Sequence, residues 1–336
     1  MMKILNDADA DVSVLKGRKV AVIGYGSQGC AQSFMLKESG IDLIVGVREG
    51  GDSWKKALVD GHKVMTISEA VRNADIVHIL VPDELQADIF SQQIAKHLRP
   101  GKTLCFSHGF SVVHGLIRIP RGVDVIMVAP MGPGSEAKAA YVADTGIPAV
   151  VAVHANETGG ARETALAMAK AMKFTRAGVL EASFEQETFT DLFGEQVVLC
   201  GGLAELVRNG FDTLVESGYP GELAYFECLH QVELLARLMR QGGLGGMWNE
   251  ISNTAEYGGR TVGPKIVPPT VKEEMKSALK KIETGKFAKE FLKEVKEGMP
   301  NVKKWREEDK NLDIEKTGER LRKRFKNPSE PSSPVG

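Results

Sequence analysis

In the stretch Glu187-Thr-Phe-Thr-Asp191-Leu-Phe-Gly-Glu195, three carboxylates stand four residues apart. That spacing places them on one face of a helix, because residues i and i+4 lie one above the other. Ala224-Tyr-Phe-Glu227-Cys-Leu-His-Gln231 repeats the spacing with one acid and one amide. Like charges on one stripe repel unless a cation sits among them. Two readings are open: a metal site in which one carboxylate has become an amide, or two polar helix faces in water. The oxygen-only donors of the first stripe suit Mg²⁺. Phe184, Leu192, Phe193, Val197 and Leu199 surround that stripe and point to burial, and a buried carboxylate without a cation is costly.

A second constellation lies near the amino end. Lys-Val-Ala-Val-Ile precedes Gly24-x-Gly26-x-x-Gly29, and a helical pattern follows. After a strand, these glycines allow a tight turn, close approach of backbone to a pyrophosphate, and tight helix–strand packing. The phosphates then meet the positive end of the helix. The loop after the next strand decides between the two dinucleotides. Arg48 and Ser53 suit a 2′-phosphate, whereas Glu49 and Asp52 repel one and accept from a free ribose hydroxyl, which favours NAD(H). Any one of these residues taken singly also fits a solvated turn. Val81 to Phe90 and His108 follow further strand ends, where ligands lie in sheets of this kind.

The elements that must position these groups read clearly. Lys19–Gly24, Asp42–Val47, Ala74–Val81, Thr103–His108, Asp124–Pro130 and Pro148–Val153 contain short, continuous, β-branched runs typical of buried strands. Strands alternating with helices predict an α/β domain with a parallel sheet and right-handed crossovers. After about residue 183 the pattern is helical, over 184–210, 221–241, roughly 247–256, 270–297 and 313–326. The expected organisation is a dinucleotide-binding domain over 1–182, an all-helical domain over 183–327, and a disordered Pro/Ser-rich tail over 328–336. The 336 residues are 43 % hydrophobic and 26 % charged, ordinary for a globular protein, and suffice for two domains. A net charge of −1 gives no reason to expect nucleic acid as partner. Cys30, Cys105, Cys200 and Cys228 have no paired spacing, and no signal peptide or membrane-length apolar run occurs. The expectation is a reduced, cytoplasmic, soluble protein.

Taken together, Gly-Tyr-Gly-Ser-Gln-Gly, Pro-Asp-Glu-Leu-Gln-Ala-Asp-Ile-Phe, His-Gly-Phe, Gly-Pro-Gly, Thr-Asp-Leu-Phe-Gly-Glu-Gln-Val-Val-Leu-Cys-Gly-Gly, Ala-Tyr-Phe-Glu-Cys-Leu-His and Ile-Ser-Asn-Thr-Ala-Glu-Tyr-Gly resemble a ketol-acid reductoisomerase of the short, class I type. The resemblance runs nearly collinearly from about residue 3 to about residue 300. It implies a Rossmann domain joined to a knotted helical domain that intertwines with a second subunit, giving a homodimer with a shared active site, or a larger assembly of such dimers. It implies NADPH and two Mg²⁺, and conversion of a 2-hydroxy-2-alkyl-3-keto acid into a 2,3-dihydroxy acid in valine and isoleucine synthesis. By position, Tyr25, Ser27, Gln28, Arg48, Ser53, Asp83, Glu84, Leu85, Gln86 and Gly134 would contact the dinucleotide, with His108 beside the nicotinamide and substrate. Asp191 would bridge two metals, Glu195 would hold the first, and Glu227, from the other subunit, the second. Glu187 would be the acid–base group, and Ser252 would bind the substrate carboxylate. Ser252 taken alone reads as a helix cap.

The chain departs from that pattern where chemistry is expected. Gln231 replaces a glutamate ligand of the second metal, Met131 a lysine at the substrate, Ser135 and Cys30 histidines, and Phe189 a polar residue. An amide keeps one carbonyl oxygen but loses a charge, so the second metal is expected to bind less tightly. The glycine turn and Asp191 are intact, which reads as a remodelled site rather than decay. One branch of the family closes a cyclopropanol ring on a sulfonium-bearing dihydroxy acid in malleicyprol biosynthesis. The expectation is therefore an NAD(H)- and Mg²⁺-dependent enzyme for a related 2,3-dihydroxy or 2-keto acid, including a redox-neutral ring closure of that kind. The alternatives are the ordinary biosynthetic enzyme and a catalytically dead nucleotide-binding subunit.

Overall fold

A computed structural model describes residues 2–324. The expected tail over 328–336 lies outside the described residues. The chain divides into two compact units, Met1–Thr190 and Asp191–Gly336.

The first unit holds nine strands: β1 (Ile4–Leu5), β2 (Lys19–Ile23), β3 (Asp42–Gly46), β4 (Val64–Met65), β5 (Ile76–Ile79), β6 (Thr103–Phe106), β7 (Asp124–Pro130), β8 (Ala149–Ala155) and β9 (Val179–Ala182). They form one sheet in the order β1-β9-β8-β7-β6-β5-β2-β3-β4. Its helices are α1 (Ser27–Glu38), α2 (Asp52–Val59), α3 (Ile67–Asn73), α4 (Asp83–Ile89), α5 (Phe110–Val113), α6 (Gly134–Val142), α7 (Ala161–Ala171), α8 (Phe174–Ala177) and α9 (Phe184–Phe193), the last running on into the second unit. Val20, Val22, Ile76 and Ile126 pack into one apolar layer, and Ala21, Ile23, Val77 and Leu104 into another. Burial on both faces explains why these strands read as unbroken apolar runs.

The six strands from β4 to β7 are parallel, as expected. β8 is not: it pairs antiparallel with β7, Ala149 opposite Pro130. The connecting helix α6 turns back onto α1, with Tyr141 edge-on to Phe34 at 6.0 Å and Lys138 Nζ 4.3 Å above the Phe34 ring. The chain therefore re-enters the sheet at the end it left. The two-residue strands β1 and β4 are too short to show a pattern. The order reverses around β2, with β3 on one side and β5 on the other. Ligands bind in the crevice outside the carboxyl ends of strands at such a switch point.

The second unit consists of α10 (Gly201–Glu216), α11 (Gly221–Tyr225), α12 (Gln231–Glu250), α13 (Asn253–Ile266), α14 (Pro269–Glu283), α15 (Lys286–Lys296), α16 (Pro300–Asp309) and α17 (Asp313–Arg324). No strand occurs there among the described residues. Val207, Phe211, Ala224 and Ile314 form a small core. Several details differ from the expected helices, among them a break of the 270–297 stretch at Gly285, φ 70°, between α14 and α15. The stretch 184–210 is interrupted by a wide turn over Gly194–Leu199, in which Cys200 N–H reaches Glu195 O five residues back at 2.8 Å. α12 kinks at Gly243, whose φ of 67° lies in the left-handed region. The expected 247–256 helix is split at Ser252, where α13 begins and continues to Ile266. No described helix is long and apolar enough to cross a membrane.

Candidate functional site

The glycine turn sits at the carboxyl end of β2. Gly24 has φ 102°, and a Cβ there would lie 2.7 Å from Leu80 O, so only glycine fits between β2 and β5. Tyr25 is buried, and its hydroxyl donates to Asp60 Oδ2 at 2.8 Å, at the far end of α2. Gly26 caps α1, and Ser27, Gln28 and Gly29 supply its first turn, whose N–H groups are of the kind that can take an anion. Gly134 opens α6 packed against Ser27, where a Cβ would lie 2.5 Å from Ser27 O. Arg48 follows β3, and Gly51 N–H closes a turn on Arg48 O at 3.2 Å. Asp52 and Ser53 then begin α2, where an acid also suits the helix dipole. Arg48, Glu49 and Asp52 are exposed and Ser53 half-buried. Asp83 and Glu84 open α4 beyond β5. Gln86 Nε2 donates to Asp83 Oδ1 at 2.9 Å and Val81 O at 3.1 Å, while Leu85 is exposed. Every proposed dinucleotide residue thus lies at or just beyond a strand's carboxyl end.

His108 follows β6. Its Nδ1 lies 3.3 Å and 3.4 Å from the two carboxylate oxygens of Glu187 on α9. Glu187 is only 7 % exposed. A carboxylate only accepts, so the ring proton of neutral His108 sits on Nδ1. Thr188 Oγ1 donates to Glu187 Oε2 at 3.3 Å. The close approach of α9 depends on Gly109, where a Cβ would collide with Thr188 Oγ1 and come within 3.2 Å of Phe184 Cδ1. Burial, and the repulsion of nearby His108, hold the His114 imidazole below its ordinary range. Thr188 and Gly109 escape a reading of the sequence, since a helical threonine and a loop glycine carry no chemical signal until the helix is docked.

Asp191 comes one turn after Glu187 on the same helix, and Glu195 lies in the wide turn that extends it. Glu227 lies in a second wide turn, Phe226–His230, where Gln231 N–H reaches back to Phe226 O. Turns of this kind recur at functional sites. Gln231 Nε2 donates to Glu227 Oε2 at 2.7 Å. The carboxylates expected as metal ligands therefore stand on two separate helical runs. Ser252 is the N-cap of α13, its Oγ accepting from Ala255 N–H at 3.2 Å. Met131, just beyond β7, is 61 % exposed.

Known proteins resemble this chain along both units. Residues 14–178 match the family described as "Acetohydroxy acid isomeroreductase, NADPH-binding domain", and residues 184–327 match "Ketol-acid reductoisomerase, C-terminal domain". A "Ketol-acid reductoisomerase (NAD(+))" from uncultured archaeon GZfos26G2 is 53 % identical over 329 residues, covering 96 % of this chain and 99 % of that protein. A "Ketol-acid reductoisomerase (NADP(+))" from Methanothermobacter thermautotrophicus is 51 % identical over 322 residues, covering 96 % and 98 %. Among solved structures, an NADH-preferring ketol-acid reductoisomerase from an uncultured archean is similar with a TM-score of 0.95 at 52 % identity, covering 97 % of this chain and 100 % of that one.

Proposed function

The chain belongs to the ketol-acid reductoisomerase family of NAD(P)-dependent oxidoreductase–isomerases, and we propose that it is a member with one half of its metal site altered. On this reading it uses NAD(H) and Mg²⁺ and acts on a 2,3-dihydroxy or 2-keto acid whose reacting end is polar or cationic. The finer form of the reading is a redox-neutral closure of a cyclopropanol ring on a sulfonium-bearing dihydroxy acid in secondary metabolism. The carrying observation is the Gln231–Glu227 hydrogen bond of 2.7 Å. Two carboxylates one turn apart repel and wait for a cation, whereas an amide donor satisfies Glu227 without one. Met131 carries the argument to the substrate: it offers a neutral thioether where a lysine would repel a cation.

The residues suit the groups the family uses. Gly24 permits the tight turn out of β2, and Gly26, with nothing within 4 Å of where its Cβ would lie, leaves the backbone bare as a pyrophosphate cradle requires. Asp191, Glu195 and Glu227 offer oxygen donors of the kind Mg²⁺ takes, with Gln231 Oε1 as a neutral fourth. When bound, the nicotinamide supplies a reversible hydride, and Mg²⁺ polarises neighbouring oxygens of the substrate. Glu187 orients His108 and can hold a proton beside it, while Ser252 would take the substrate carboxylate. Glu49 and Asp52 favour a free ribose hydroxyl, in keeping with the NADH preference of the archaeal relative. Domain limits of 1–182 and 183–327 fit the two matched segments. A homodimer with a shared site is supported by the exposed Leu199, Leu206, Leu223, Leu244 and Ile266 of the second unit.

The test is a double variant, Met131→Lys with Gln231→Glu. It is expected to gain turnover of 2-acetolactate over the wild type, and an unchanged or reduced rate would count against the proposal. A second reading is the ordinary conversion of 2-acetolactate to 2,3-dihydroxyisovalerate, supported by about half the residues being shared with such enzymes over nearly the whole chain. Efficient wild-type turnover of 2-acetolactate would establish it.

A further inference from the structure

Beneath the dinucleotide turn runs a buried polar chain that the proposed function does not use. Gln32 on α1 and His78 in β5 are both 0 % exposed. The direction of their hydrogen bonds follows from one end. Gln28 Nε2 lies 3.0 Å from Gly132 O, and a carbonyl only accepts, so the Gln28 amide donates there. Gln28 Oε1 must then accept, which it does from Gln32 Nε2 at 3.0 Å. The same Gln32 nitrogen donates to Ser107 Oγ at 2.9 Å, and the Ser107 hydroxyl donates to Val128 O at 2.9 Å. Gln32 Oε1 is left to accept from His78 Nε2–H at 2.7 Å.

Each side chain thus has one orientation that satisfies its neighbours. The chain ties together four places: the middle of β5, the first turns of α1, the residue before His108, and the loop between Met131 and Gly134. It is not economical as packing. His78 Nδ1 has no hydrogen-bond partner, and an apolar pair would fill the space without desolvating an imidazole and two amides. Burial pushes the His78 imidazole down to about 4, so it remains a neutral single donor near neutral pH.

We propose that Gln32, held by His78, is a positioning residue for the reaction: it sets the carboxamide of Gln28 in the dinucleotide turn and the Ser107 hydroxyl beside His108. The inference rests on the reading of Gln28 as a dinucleotide contact. Loss of Gln32 frees the Gln28 amide to rotate and unties the glycine turn from the His108 loop.

The experiment is a fluorescence titration of the full chain with NADH for the wild type, Gln28→Ala, Gln32→Met and the double variant. The Gln32→Met affinity is expected to fall about tenfold, the effect of roughly one or two hydrogen bonds. Because Gln32 acts through Gln28, the double variant is expected to bind within about twofold of Gln28→Ala, the non-additivity of coupled sites. His78→Gln, which can still donate to Gln32, is expected to bind NADH like the wild type, and His78→Leu like Gln32→Met. This histidine pair decides the matter if Gln32→Met does not fold. Unchanged affinity in Gln32→Met, or losses that multiply in the double variant, would overturn the inference while leaving Gln28 as a contact. Unchanged affinity in Gln28→Ala would overturn both.

Discussion

Gln231 donates an amide hydrogen to the Glu227 carboxylate across 2.7 Å, one turn along the same helical run. The pair is self-sufficient: the only anion in it already has a donor. A cation at Glu227 must compete with that bond and gains only a neutral oxygen from its neighbour. Gln231→Glu is expected to tighten Mg²⁺ binding by about tenfold, since charge count tunes such sites. Calorimetry giving identical affinity and stoichiometry for both proteins would show that position 231 is no ligand.

Gly109→Ala is expected to cost about 1–3 kcal/mol, the usual cost of overpacking a filled site. The added methyl collides with Thr188 Oγ1 and meets Met127 Cε at 3.0 Å. Relieving the collision moves α9, and with it Glu187, away from His108. Turnover is therefore expected to fall further than stability alone explains. A melting temperature equal to the wild type's would contradict this account of the glycine.

The ribose edge yields a third prediction. With Glu49 and Asp52 exposed beside Arg48, NADH is expected to bind more tightly than NADPH by about 1–2 kcal/mol, the scale of one charged hydrogen-bond change. Glu49→Ala with Asp52→Ala is expected to narrow the margin. Tenfold tighter NADPH binding by the wild type would reject the assignment.

Much of this was legible in the residues, for identifiable reasons. The glycine turn stands out because its requirements are local: a strand, three glycines and a helix. β2, β3, β5, β6 and β7 declare themselves through burial on both faces. The reversal of β8 does not, because it depends on where Tyr141 and Phe34 meet. The wide turns at Glu195 and Glu227 are likewise invisible in the four-residue spacing, which a regular helix would produce equally well. Gln32 and His78 look ordinary in sequence, one polar residue on a helix and one in an apolar strand. Only the docking of α1 on β5 makes them partners.

His78 provides a pH test. Its folded pKa, about 4, lies below the ordinary 6.5. Below pH 6.5 the unfolded chain takes up a proton that the fold refuses until about pH 4, so this residue's contribution to stability is present above 6.5 and is lost as pH falls. The loss approaches about 3 kcal/mol at the bottom of that window. In denaturant melts between pH 7 and pH 4, His78→Gln is expected to lose stability less steeply than the wild type. Parallel curves would contradict a buried neutral imidazole.

The most direct test of the altered site is steady-state turnover of 2-acetolactate by the wild-type protein with NADH and with NADPH at saturating Mg²⁺. On the proposed reading hydride transfer would draw on the His108–Glu187 pair beside a bound nicotinamide, whereas an alkyl shift would also need the charge of a complete metal site at Glu227 and position 231. With Gln231 closed on Glu227 and a neutral thioether at Met131, kcat/KM is expected to fall well below about 10⁴ M⁻¹s⁻¹, the low end of typical enzymes. A value above that figure with either dinucleotide would contradict the remodelled site and restore the ordinary biosynthetic reaction.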